Sequence, residues 1–130
     1  MQQAKSHKDL EVWRAAVRLA KETYQVTDTF PRAEQFGLVL QMRRSAVSIP
    51  SNIAEGAARQ GKKELIHYLY IAAGSASELD TQVEIALLTQ SGGEEGLLHL
   101  QREAERVAMM LRALIKSLKA PQRSRVANHD

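Results

Sequence analysis

Apolar residues in this chain recur every three or four positions through four long runs, each closed by proline or glycine. That period marks one face of an α-helix; a strand would show a period of two. The first run sets Leu10, Trp13, Val17, Ala20 and Tyr24 on one face, and Pro31 in "DTFPRAEQF" cannot continue it. A second starts near Glu34 with Phe36, Val39, Leu40, Val47, Ile53 and Ala57, and Gly61 offers its stop. The third carries Leu65, Leu69, Ala72, Ala76, Leu79, Val83, Ala86 and Leu87. "TQSGGEEG" is the loop that follows, with Glu94 and Glu95 favouring a new helix N-terminus. The fourth run extends from Leu97 to Leu118 and ends at Pro121.

Short connections make consecutive helices antiparallel neighbours, so the expected fold is all-α, an antiparallel up-down-up-down four-helix bundle. A length of 130 residues suits one such domain. Its expected extent is 9–119, with an N-terminal tail over 1–8 and a disordered C-terminal tail over 120–130. Helix one has a second apolar stripe, Val12, Ala16, Leu19 and Val26, turned about 100° from the first. Helix two adds Leu38, Met42 and Ile49. Either the core-facing stripes are wide or a second face is buried against another copy of the chain.

"RRSAVSIPSNIAEGAARQGKK", residues 43–63, places Pro50 inside the second run. A helical proline removes one hydrogen bond and clashes with the carbonyl four residues back, here that of Ala46, at a cost of about 3 kcal/mol. The helix could break, with Pro50 opening a new one, or run on with a kink near Pro50. In the second case the Ser48 or Ser51 hydroxyl would help to satisfy the freed backbone. Val47, Ile53/Ala54 and Ala57 keep their phase across the proline, which favours the kinked helix. On it Arg44, Ser48, Asn52 (or Ser51), Glu55 and Arg59 form a polar stripe suited to packing within or between subunits, with Glu55 and Arg59 paired at i,i+4.

Folding the chain back on itself sorts its charges. One end of the bundle collects eleven cations against five carboxylates, and the other three cations against ten. At the basic end, Arg112, Lys116, Lys119 and Arg123 recur at helical spacing, with Arg59, Lys62 and Lys63 close by, and Arg14, Arg18 and Lys21 form a like stripe that runs along helix one away from that end. Basic residues at helix C-termini also complement the macrodipole. Repeated around an oligomer's axis, such a patch would hold a polyanion by its backbone, RNA or DNA, with little sequence preference. Trp13, Tyr68 and Tyr70 are the aromatic residues nearby that could stack on bases.

Other chemistries find little support. Without cysteine there are no disulfides or thiolate metal sites, and with neither a signal-like apolar start nor 18 consecutive apolar residues the chain is expected in the cytoplasm and off the membrane. Glu64 and His67 form one Glu-x-x-His, where a di-iron bundle needs two. No histidine lies near Ser48 or Ser51 in sequence to activate a nucleophile, and "QSGGEEG" lacks the lysine and preceding strand of a phosphate loop. The expectation is a non-enzymatic chain without cofactor or metal.

The segment "EQFGLVLQMRRSAVSIPSNIAEGAARQGKKELIHYLYIAAGSASELDTQVEIAL" resembles the four-helix bundle family first noticed as proteins encoded in intervening sequences of bacterial 23S ribosomal RNA. "DLEVWRAAVRLAKETY" is similar to that family's first helix. The resemblance implies a homopentameric ring without known catalytic activity. It extends to the accessory variability proteins of diversity-generating retroelements, which implies a basic surface for nucleic acid or, alternatively, a scaffold for a protein partner such as a reverse transcriptase. Ala73 departs from the pattern, standing where the family commonly has arginine, and so removes one positive charge.

Overall fold

A computed structural model describes residues 7–121. Four helices account for most of them: α1 (Glu11–Thr27), α2 (Leu38–Ala57), α3 (Lys62–Leu88) and α4 (Glu94–Lys119). Single 3-10 turns lie at His7–Asp9 and Arg32–Glu34, and no strand occurs among the described residues. The helix α1 packs on α2 and α4, and α3 on α2 and α4, with no diagonal contact, which is a square bundle. Val26 near the end of α1 faces Gly96 near the start of α4. Gly56 near the end of α2 faces Leu65 and Tyr68 early in α3, so neighbours run antiparallel as expected.

The core is a column of leucine, isoleucine and methionine, including Leu19, Met42, Ile49, Ile53, Leu69, Leu79, Leu100 and Leu111, all fully buried. Two buried threonines join it without stranding a hydroxyl: Thr23 donates to the Leu19 carbonyl at 2.8 Å and Thr27 to that of Thr23 at 2.7 Å.

Helix α2 runs unbroken through Pro50, whose ring is buried. The Ser48 hydroxyl is engaged not with the helix backbone but with Ser75 on α3. Gly61 does not stop α2, which ends at Ala57. It caps the start of α3 instead, in extended backbone at φ −107°, its carbonyl accepting from the Leu65 N–H at 3.1 Å.

The two apolar stripes of α1 exchange roles relative to their order of prominence in sequence. Val12, Ala15, Ala16 and Leu19 face the core, whereas Val17 and Tyr24 of the first stripe are 39% and 45% exposed. On α2, likewise, Met42 and Ile49 are buried and Leu40 and Val47 exposed. A helix at the corner of a square bundle centres its buried face between two neighbours, and sequence spacing does not say which of two adjacent stripes lies there. The expected tails fall largely outside the described residues, as does Arg123; His7 and Lys8 are ordered into the first 3-10 turn.

Candidate nucleic-acid interface

Antiparallel packing brings the start of α1, the α2–α3 connection and the last turns of α4 to one pole. Arg14 therefore joins Arg59, Lys62, Lys63, Arg112, Lys116 and Lys119 there, while Arg18 lies one turn further along α1. Lys116 and Lys119 occupy the last turn of α4, where positive charge complements the macrodipole. Lys62 and Lys63 open α3, where it opposes the macrodipole. The local stability of α3 gives no reason for that pair.

Not all these cations are available. Arg59 is exposed but tied to its own chain: Nε and Nη2 donate to Glu55 Oε2 at 3.0 and 2.6 Å, Nη2 also donates to the Tyr68 hydroxyl at 2.9 Å, and Glu64 lies 3.7 Å from Nη1. The hydrogen bond that Arg59 donates to the Glu55 carboxylate, followed by the field of Tyr68, raises the guanidinium pKa above its ordinary value, so Arg59 stays charged but engaged. Arg14 donates to the Lys8 carbonyl at 2.7 Å. Among the described residues, no carboxylate lies within 4.0 Å of Lys62, Lys63, Arg112 or Lys116, all of them exposed. The opposite pole carries Glu34, Glu84, Glu94 and Glu95, and Asp80, Glu103 and Glu105 lie between it and the middle of the bundle.

The polar stripe of α2 proves to be its seam with α3. Ser48 Oγ and Ser75 Oγ lie 2.8 Å apart, and the Asn52 amide donates to both the hydroxyl and the carbonyl of Ser48, at 2.9 and 2.8 Å. Glu55 reaches Tyr68 through Arg59, and the exposed Arg44 lines a shallow groove with Gln41, Glu78 and Gln82. Sequence reasoning missed the α3 partners, Ser75 and Tyr68, because partners across a seam share no periodicity. It also missed Gly56, where an added Cβ would lie 2.8 Å from Tyr68 Cβ and 3.2 Å from the Leu65 carbonyl; a glycine within an apolar helical run was the available signal.

Glu64 and His67 are both surface residues, the first paired with Arg59 and the second edge-on to Tyr68. No group of three or more His, Asp or Glu able to hold a metal converges among the described residues. Nor is any of their helices long and apolar enough to cross a membrane.

Fold and surface together define a charge-polarised, all-helical four-helix bundle protein. Residues 8–113 match the family model of the 23S rRNA-intervening sequence protein, and the chain belongs to that family. Among solved structures it is similar to a protein of unknown function from the S23 ribosomal protein family of Bacteroides thetaiotaomicron. The two share 23% identity at a TM-score of 0.75, over 81% of this chain and 98% of the other, a likeness of fold. No curated protein matches the sequence.

Proposed function

We propose that this chain is a non-enzymatic, cytoplasmic, homo-oligomeric bundle that holds the backbone of nucleic acid at its basic pole with little sequence specificity. The carrying observation is the set Lys62, Lys63, Arg112 and Lys116, which shares one pole and lacks intramolecular ion partners among the described residues. The family's tie to 23S rRNA intervening sequences favours RNA over DNA as the polyanion. Val17, Tyr24, Leu40 and Val47 leave apolar surface on the outer side of α1 and α2, which supports self-association; the resemblance described above suggests a pentamer. A ring would repeat the patch around its axis and multiply the field.

The test is binding of a labelled RNA across a salt series, with light scattering for the mass. Reversal of Lys62, Lys63, Lys116 and Lys119 to glutamate should weaken binding by orders of magnitude and flatten the salt slope by about 0.7 to 0.9 per lost phosphate contact. Unchanged binding would remove the basic pole from the function, and a mass of one chain would remove the ring.

A second reading is a scaffold for a protein partner such as a reverse transcriptase. It draws on Phe36, Ile85 and Leu88, exposed apolar residues at the acidic pole. Nucleic acid absorbance retained through a low-salt preparation favours the first reading.

A further inference from the structure

We propose that the groove between α3 and α4 at the basic pole takes one unpaired nucleotide of a single strand, its base against the ring of Tyr70 and its phosphate between Arg112 and Lys116. This rests on the polyanion-binding reading of that pole and adds what kind of strand it selects.

The groove has a volume of about 520 Å³, within the range of roughly 300–1,000 Å³ usual for small-ligand sites. Helix α3 contributes the Tyr70 ring and α4 contributes Ile115 and the cations Arg112, Lys116 and Lys119. Among the described residues, no carboxylate lines it. The next groove along the same seam includes Asp80 and Glu105, and Arg112 lines both, so the surface turns anion-compatible at that residue.

Tyr70 is set for stacking by what holds it. Lys119 Nζ donates to its hydroxyl at 3.1 Å and lies 5.6 Å from the ring centroid. The phenol is thereby oriented while remaining 51% exposed. The other aromatic residues near this pole are engaged: Trp13 meets His7 edge-on at 5.0 Å, and Tyr68 lies beneath the Arg59 guanidinium at 5.1 Å. An apolar floor with an exposed ring is of no use to a phosphate chain alone. A duplex hides its base faces, whereas a single strand offers both a π-face and a phosphate at each step.

Fluorescence anisotropy of the full chain with fluorescein-labelled oligouridine of roughly twelve nucleotides, beside an RNA duplex of equal length, tests this. The single strand should bind more tightly. Tyr70→Leu should weaken it about five- to a hundredfold, leaving duplex affinity and the salt slope unchanged. Tyr70→Phe and Tyr70→Trp should retain single-strand binding, and circular dichroism melts of each variant report folding. Equal single-strand binding by wild type and Tyr70→Leu, or equal loss in Tyr70→Phe and Tyr70→Leu, overturns the nucleotide site. If the lysine reversals still weaken both probes in that case, the basic pole stands without it. If neither probe binds the wild-type chain, both proposals fall.

Discussion

Ser48 of α2 and Ser75 of α3 share a hydrogen bond of 2.8 Å across the seam between their helices, two residues before the proline that interrupts the α2 ladder. Asn52 donates to Ser48 from the following turn, so the three side chains form one short network where the helix lacks a backbone bond. Ser75 is buried, and removing its partner strands a hydroxyl. Ser48→Ala and Ser75→Ala should each cost about 1–2 kcal/mol, and the double variant less than their sum by roughly 0.5–1.5 kcal/mol. Urea unfolding of the four proteins measures the coupling, and strict additivity would mean that the two hydroxyls do not interact.

Gly56 and Gly74 are both helical glycines with opposite surroundings. A Cβ at position 56 would press on Tyr68 Cβ and the Leu65 carbonyl, neither of which is the free end of a flexible side chain. A Cβ at position 74 meets nothing within 4 Å. Gly56→Ala should therefore destabilise by about 1–2 kcal/mol despite its better helix propensity. Gly74→Ala should stabilise by about 0.5–1 kcal/mol. Thermal melts that shifted in the same direction would contradict the close approach of α2 and α3.

The number of helices, their order and their antiparallel sense were legible because Pro31, the Gly92–Gly93 pair and Pro121 punctuate long periodic runs. The continuity of α2 followed from the phase of Val47, Ile53 and Ala57 across Pro50. Which face of α1 turned inward was not legible: two adjacent apolar stripes satisfy the same period, and the positions of α2 and α4 decide between them. The poles of charge followed from topology alone. The Glu55–Arg59 pair was also legible, from its i,i+4 spacing, but the further hold of Tyr68 and Glu64 on Arg59 was not, since they reach it only once α3 has turned back past Gly61.

That engagement separates two cations which look alike in sequence. Arg59→Gln should change affinity for RNA less than twofold and leave the salt slope in place, because a guanidinium held by Glu55 and Tyr68 contacts no phosphate and releases no counterion. Lys63→Gln, at an exposed lysine without an ion partner among the described residues, should lower the slope by about 0.7 to 0.9. Salt-series titrations of both variants measure the contrast. A slope lost equally in the two would return Arg59 to the contact set.

Leu40 and Val47 flank Arg43 on α2, and Arg43 in turn covers the Tyr24 ring of α1 at 4.4 Å. Around that cation, Val17, Leu40 and Val47 leave apolar side chains on the outer side of α1 and α2 that the described bundle leaves partly exposed. A charge placed there should cost the folded chain little, since substitutions at exposed helical sites usually change stability by no more than about 0.5 kcal/mol. Against a second copy the same charge would be buried without a partner, and assembly would suffer. Val47→Glu should therefore lower the mass seen by light scattering to that of one chain while leaving helix content by circular dichroism unchanged. If the variant keeps the wild-type oligomeric mass, subunits meet elsewhere, and the exposed Ile85 and Leu88 become the next face to charge.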